Sequence, residues 1–203
     1  MLKIGIWGDS IVHGVGDIDE LGWATRLRKT LLQERVGTDA GCAEVYIRGV
    51  RGDTTKGLLT RFKVEADSIC PDSIVIAIGI NDSSYVGNEK NTLVPLSEFS
   101  DNLTQLAQYS RKIASKTMFV GLTRVDERLV QPLRGSATGK CYTNHIIEQY
   151  DAAIKDIAQK EKLHHVAISD RITLQDLDDG LHPNSAGHEH LAVYMHTAIK
   201  ELT

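Results

Sequence analysis

The chain has 203 residues, of which 41% are apolar and 25% are charged. A chain of this length and composition buries a sizeable core, so intrinsic disorder is excluded and folding needs no disulfide or metal. The formal net charge of −4 at pH 7 provides no broad cationic field, and we therefore expect neither nucleic acid nor a membrane as a partner.

Five short runs of β-forming residues recur along the chain, and longer segments of helical period separate them. The predicted strands are residues 2–7, 43–47, 73–78, 117–122 and 163–168. The predicted helices are residues 23–34, 55–66, 96–114, 144–162 and 185–202. This alternation is typical of βαβ units, and neither a repeat nor a linker interrupts it, so we predict one α/β domain over residues 1–203.

The third predicted strand indicates how the sheet is covered. Residues 73–78 read Ser-Ile-Val-Ile-Ala-Ile, without alternation of polar and apolar side chains. That pattern is typical of a central parallel strand with helices on both faces. Parallel sheets of this kind carry their functional residues at the carboxyl ends of the strands, around a topological switch point. We therefore expect the chemistry directly after each strand.

Ser10 follows the first predicted strand, and the segment Asp179-Gly180-Leu181-His182 follows the last one. A serine hydroxyl is a weak nucleophile until a base takes its proton, so it needs an oriented histidine nearby. Asp179 lies three residues before His182 and can hydrogen-bond one ring nitrogen, which leaves the other nitrogen to face Ser10. Asp176 and Asp178 compete for the orienting role, and the spacing favours Asp179.

Two further strand ends carry groups that can stabilise the oxygen that becomes negative during acyl transfer. Gly52 allows its backbone N–H to approach a substrate closely, and Asn81 offers the N–H groups of its side-chain amide. The backbone N–H of Ser10 is the third candidate donor. These three groups form a candidate oxyanion hole.

Taken together, these residues resemble the four sequence blocks of the SGNH hydrolases, also called GDSL esterases and lipases. The matching blocks occur here in the family's order: Gly8-Asp9-Ser10, then Gly52, then Gly79-Ile80-Asn81-Asp82, then Asp179-Gly180-Leu181-His182. Two positions depart from the family pattern. Ile11 stands where leucine is usual, which conserves volume, and Arg51 precedes the glycine of the second block, where it is a candidate substrate contact.

The resemblance implies a three-layer α/β/α sandwich with a flavodoxin-like, five-stranded parallel sheet. It implies Ser10 as the nucleophile, His182 as the base and Asp179 as its orienting partner. It also implies that Ser10, Gly52 and Asn81 form the oxyanion hole. We expect neither a metal nor another cofactor.

The function that we expect is hydrolysis of carboxylic esters of small soluble substrates through an acyl-enzyme on Ser10, with thioesters and O-acetyl groups as further possibilities. One alternative is a metal-dependent phosphoesterase, which Asp53 and Asp82 suggest. Another is a relative that binds esters or glycans without cleaving them. His188, His190 and His196 lack metal-ligand spacing and are interpreted as surface or packing residues.

Two loops, residues 82–95 and 123–142, follow the third and fourth strands and are the predicted specificity walls. The second loop carries four basic residues, which either contact an anionic leaving group or keep the loop soluble: Arg124, Arg128, Arg134 and Lys140. Residues 135–141 resemble a phosphate-binding loop, but the match is one residue short and ends in cysteine, so we discard that interpretation. The apolar runs 93–96 and 129–133 line an acyl pocket or pack their own loops.

Three widely spaced cysteines, Cys42, Cys70 and Cys141, favour free thiols in a reducing compartment. The first ten residues lack the apolar core of a signal peptide. The longest apolar run, residues 74–80, is far shorter than the roughly 20 residues that span a bilayer. We therefore expect a cytoplasmic protein, and the oligomeric state is not readable from the sequence.

Overall fold

The computed structural model describes residues 2–19, 21–35 and 43–202. The strands of this part are β1 (Leu2–Gly8), β2 (Ala43–Gly49), β3 (Ser73–Ala77), β4 (Lys116–Val120) and β5 (His164–Val166). Its α-helices are α1 (Ser10–His13), α2 (Trp23–Arg35), α3 (Thr55–Ile69), α4 (Leu96–Ile113), α5 (Asn144–Lys160) and α6 (Ser185–Leu202). A 3₁₀ turn covers Leu174–Asp176.

These bounds lie within three residues of the predicted elements, which confirms the alternation of strands and helices. The sequence analysis missed α1 and the 3₁₀ turn. Both span only three or four residues, so they are too short to show a helical period.

All five strands pair in parallel in the order β2-β1-β3-β4-β5. This is the flavodoxin-like order, and its switch point lies between β1 and β3. Gly8 at the end of β1 is level with Gly49 of β2 and Ala77 of β3. Three strands therefore end at one edge of the sheet, and the segments that follow them meet there.

Helices cover both faces of the sheet, which confirms the three-layer α/β/α architecture. One apolar cluster joins the sheet to α3, α4 and α5, and a second joins it to α2 and α6. Because neighbouring residues of a strand point to opposite faces, Ile74 and Ile76 belong to the first cluster and Val75 to the second. This two-sided burial explains the uninterrupted apolar pattern of β3.

No helix in residues 2–19, 21–35 and 43–202 is long and apolar enough to cross a membrane. Cys70 is an exposed free thiol, and Cys141 is a partly buried one. Cys42, the third predicted free thiol, lies outside the described residues.

The first apolar cluster depends on aromatic packing, and this gives a test of the fold. Phe62 of α3 is fully buried and packs edge-on against Trp7, with ring centroids 5.0 Å apart. We expect Phe62→Ala to lower the free energy of unfolding by about 3–5 kcal/mol, because it removes apolar contact and leaves a cavity. Urea denaturation measures this change.

The matched control is Val64→Ala on the exposed face of the same helix, where Val64 is 73% exposed. Its effect should stay within about 0.5 kcal/mol. Equal losses in the two variants would contradict the assignment of the inner face of α3.

Candidate active site

Ser10 is held at the sheet edge by a tight turn between β1 and α1. The Asp9 carboxylate accepts a hydrogen bond from the backbone N–H of Ile11 at 2.9 Å and so caps α1. A Cβ atom on Gly8 would lie 2.2 Å from the carbonyl oxygen of Ala77 in β3, so only glycine fits where the two strands end. The turn therefore fixes Ser10 at the switch point.

Ser10, His182 and Asp179 form a continuous chain of hydrogen bonds. The Oγ of Ser10 lies 2.9 Å from Nε2 of His182, although the two residues are 172 positions apart. Nδ1 of the same ring lies 2.7 Å from Oδ2 of Asp179. The other carboxylate oxygen accepts backbone N–H groups from Leu181 at 3.0 Å and His182 at 2.8 Å. The structure thus brings together the three residues that the sequence singled out.

The direction of the hydrogen bond between Asp179 and His182 follows from the environment of Asp179. Burial alone would raise the pKa of its carboxyl, but hydrogen bonds from His182 and Leu181 prevail and lower the pKa to about 2. The ionised carboxylate only accepts hydrogen bonds, so Nδ1 of His182 must donate. Nε2 of the neutral ring is then free to accept the hydroxyl proton of Ser10.

Asp176, a competitor for the orienting role, has other partners. Its carboxylate accepts hydrogen bonds from the backbone N–H of Thr173 at 2.7 Å and from the Thr173 hydroxyl at 2.9 Å. His190 lies 3.5 Å from its second oxygen. Asp176 therefore caps the 3₁₀ turn, and Asp179 is the carboxylate in contact with His182.

Gly52 has the backbone conformation that the second sequence block requires. Its φ is +75°, in the left-handed region that favours glycine. A Cβ atom there would meet no neighbour within 4 Å, so this side of the residue faces open space. Within the described part of the chain, the N–H groups of Ser10 and Gly52 have no protein acceptor. Both are available to an external oxygen.

Asn81 is buried, and its amide is oriented by two contacts. Nδ2 donates to the carbonyl of Asp53 at 3.0 Å, and Oδ1 accepts from the hydroxyl of Tyr142 at 3.3 Å. Burial raises the pKa of Tyr142 far above its usual range, so the phenol stays protonated and donates. The second hydrogen of Nδ2 remains available. The sequence analysis missed Tyr142, because no local pattern links it to Asn81.

Asp53 and Asp82, which suggested a phosphoesterase, form an ion pair and hydrogen bonds with other residues of the protein. Asp53 pairs with Arg61, with Oδ2 2.7 Å from a guanidinium nitrogen. Asp82 accepts from the backbone N–H and hydroxyl of Thr55, and that hydroxyl in turn accepts from Asn102. Among the residues that the structure describes, no three His, Cys, Asp or Glu side chains are grouped to hold a metal ion.

A cleft of about 360 Å³ opens above these groups. Its lining contains the five sequence-predicted residues Ser10, Gly52, Asn81, Asp179 and His182. Residues 133–138, 140 and 142 of the loop 123–142 line the cleft, as its predicted place beside the site requires. Arg51 lines it from the end of β2. The sequence blocks therefore converge on one cavity.

One expectation about the surrounding loops needs correction. Residues 82–95 do not line the cleft, and several of them border a separate groove beside α5. Of the apolar runs, Val94 and Val130 pack into the core, whereas Leu133 lines the cleft. Loop conformation, which depends on tertiary packing, decides these placements.

His188 is a buried packing residue that ties α6 to the segment after α1. Its Nδ1 accepts from the backbone N–H of Trp23 at 3.1 Å, and its Nε2 donates to the carbonyl of Val15 at 3.0 Å. Burial lowers its pKa, which favours the neutral ring that both contacts require. His196 lies 3.0 Å from Glu34. Because α6 begins three residues after His182, the two hydrogen bonds of His188 help to position the imidazole of His182.

The parallel sheet order and the helices on both faces define the three-layer α/β fold of the SGNH hydrolases. A model of the GDSL-like lipase/acylhydrolase family matches residues 6–190, and the chain belongs to this family. It is therefore an enzyme of the esterase class. The comparison with curated proteins gave no match.

Solved structures with the same fold include Axe2, an acetylxylan esterase from Geobacillus stearothermophilus. It is 22% identical, covers 98% of this chain and 94% of its own, and superposes with a TM-score of 0.74. LAE5, an alpha/beta hydrolase enzyme from the metagenome of Lake Arreo, is 19% identical. It covers 100% of this chain and 96% of its own, with a TM-score of 0.73. At these identities, the likeness establishes the fold.

Asp9, next to Ser10, differs from Asp179 in its electrostatics. Burial raises the pKa of its carboxyl to about 7, against the opposing effects of the Ile11 N–H and of His182. Between pH about 4 and 7, the folded protein therefore holds a proton that the unfolded chain has released. The free energy of unfolding falls as pH rises through this window.

We expect Asp9→Asn to abolish this part of the pH dependence, because the amide keeps the capping oxygen and does not ionise. The variant should gain stability over wild type as pH rises from about 4, reaching up to roughly 4 kcal/mol above pH 7. Urea denaturation between pH 4 and 8 measures the difference. Asp101→Asn at an exposed position of α4 is the control. A stability difference independent of pH in Asp9→Asn would refute the assignment.

Proposed function

We propose that the protein hydrolyses carboxylic esters of small soluble substrates through an acyl-enzyme on Ser10. The observation that carries the proposal is the hydrogen-bonded chain from Ser10 Oγ through His182 to Asp179, at 2.9 and 2.7 Å. Family membership supports ester hydrolysis, and these two hydrogen bonds support a serine nucleophile with an oriented base.

In the first step, Oγ of Ser10 attacks the ester carbonyl carbon while Nε2 of His182 takes the hydroxyl proton. The imidazolium is stabilised by the ionised Asp179 at Nδ1. His182 then returns the proton to the departing alkoxide as the carbon–oxygen bond breaks, which leaves the acyl group on Ser10. Water, deprotonated by the same imidazole, then attacks the acyl carbon; the bond from that carbon to Oγ breaks, Oγ takes the proton back from the imidazolium, and the acid is released.

The negative charge of each tetrahedral intermediate needs donors that are already in place. We assign this role to the backbone N–H groups of Ser10 and Gly52 and to Nδ2 of Asn81. Their support is geometric: both N–H groups lack protein acceptors in the described part of the chain, and the Asn81 amide is held by Asp53 and Tyr142. Fixed donors stabilise a developing oxyanion without reorganisation.

The Axe2 structures support the assignment of the three residues. Variants of Axe2 described as catalytic mutants replace a serine, an aspartate and a histidine, and the last two are three positions apart in its chain. Asp179 and His182 have the same spacing. Because Axe2 is an acetylxylan esterase, O-acetyl esters belong in the substrate panel, together with short acyl esters and thioesters.

The central test is Ser10→Ala. We expect a fall of at least about 10⁴-fold in kcat for a short acyl ester, with the Tm nearly unchanged, because the hydroxyl is the nucleophile. Fluorophosphonate labelling should disappear in the same variant. Ser97→Ala, which replaces an exposed serine in α4, serves as the control for both measurements. Turnover retained by Ser10→Ala would disprove the mechanism, and a wild-type protein that neither labels nor turns over would favour a non-catalytic binder.

A second test addresses the oxyanion hole. We expect Asn81→Ala to lower kcat by roughly 10²–10³-fold and to leave KM nearly unchanged, because the donor acts mainly in the transition state. Steady-state kinetics with the same ester measure both parameters, and Asn91→Ala at an exposed loop position is the control. A rise in KM at constant kcat would instead indicate a ground-state contact.

A further inference from the structure

The structure separates the four basic residues of the loop 123–142 into two groups. Arg124 pairs with Glu148 at 3.3 Å, and Arg128 pairs with Asp126 at 2.6 Å. Arg134 and Lys140 line the cleft that contains Ser10 and have no carboxylate partner among the described residues. The first group is neutralised at the surface, and the second faces the cleft with its charge uncompensated.

Arg51 brings a third cation to the same cleft from another part of the chain. It follows β2, precedes Gly52 and lines the cleft, and it has no ion-pair partner in the described part of the protein. Its exposed guanidinium has five N–H donors that match the geometry of a carboxylate or phosphate. Two separate loops therefore place cations around one cavity.

The cleft contains little negative charge to balance these cations. Asp179 is the acidic residue in its lining, and hydrogen bonds from His182 and two backbone N–H groups occupy its carboxylate. The whole chain, in contrast, has a net charge of −4. A cationic cleft in an otherwise anionic protein concentrates the field on the bound molecule and attracts anions.

We propose that the preferred substrate is an ester that also carries an anionic group, a carboxylate or a phosphate, which Arg51, Arg134 and Lys140 bind while Ser10 attacks the ester carbonyl. This inference rests on the proposed esterase function and adds the chemical class of its substrate. Arginine can bind such an anion through two parallel hydrogen bonds, and lysine contributes a point charge. The cations act on substrate binding and orientation.

The test compares esters that differ only in charge. The leaving-group set contains para-carboxyphenyl acetate, para-phosphonooxyphenyl acetate and the neutral para-carbamoylphenyl acetate. The acyl set contains mono-para-nitrophenyl adipate and the neutral para-nitrophenyl hexanoate. The quantity measured is the ratio of kcat/KM for the anionic ester to that for its neutral partner. The two sets show which side of the ester carries the charge, and the first set separates carboxylate from phosphate.

For the wild-type protein at low salt, we expect this ratio to be about 10 in at least one of the two sets. At about 0.5 M NaCl the ratio should fall toward 1, because salt screens the charges. Arg51→Gln, Arg134→Gln and Lys140→Gln should each lower the ratio by roughly 2–5-fold, in keeping with exposed ionic contacts. The triple variant should bring the ratio close to unity. Arg124→Gln, which removes an exposed and already paired cation of the same loop, should leave the ratio unchanged.

The outcomes distinguish this inference from the function on which it rests. If neutral esters are hydrolysed in a Ser10-dependent manner but the ratio is unity or lower, or if the triple variant keeps the wild-type ratio, the substrate class is wrong and the esterase mechanism stands. If no ester of either set shows Ser10-dependent hydrolysis, both proposals fail.

Discussion

The parallel register of the sheet is the constraint on which the site depends. Gly8, Gly49 and Ala77 lie level at the ends of three neighbouring strands, so the chain leaves the sheet three times along one edge. The segments that follow carry Ser10, Gly52 and Asn81, which are far apart in the chain and line one cleft. A register shifted by one residue would move a strand end by about 3.3 Å and turn its side chains to the opposite face, so these residues would no longer line one cleft.

His182 reaches the same edge by another route, because it does not directly follow β1, β2 or β3. The turn that holds it leads into α6, and α6 packs on the sheet through the cluster that it shares with α2. His188, near the start of α6, forms hydrogen bonds with Val15 and Trp23 and so connects α6 to the segment that follows α1. The 2.9 Å contact between Ser10 and His182 is thus supported by buried packing on both sides of the turn.

Two aspartates near Ser10 illustrate how the environment sets the protonation of a carboxyl group. Asp9 is buried with one strong donor, and burial raises the pKa of its carboxyl to about 7. Asp179 receives three hydrogen bonds, two of them from His182, and these lower its pKa to about 2. Asp9 is suited to capping a turn without burying a negative charge. Asp179 is suited to stabilising the protonated ring of His182. The sequence spacing singles out Asp179, and the tertiary environment explains why its carboxyl is ionised while that of Asp9 holds its proton.

The amino-acid sequence was sufficient to predict the order and type of the five strands, the five long helices and the residues Ser10, Gly52, Asn81, Asp179 and His182. These properties depend on local periodicity and on short blocks, which remain visible without a fold. Tertiary structure alone decided that Tyr142 orients Asn81 and that residues 82–95 do not line the cleft. It also separated Arg134 and Lys140 from Arg124 and Arg128. The physical reason is that loop conformation and ion pairing arise from contacts between residues distant in the chain, and those contacts exist only after the sheet and its helices have packed.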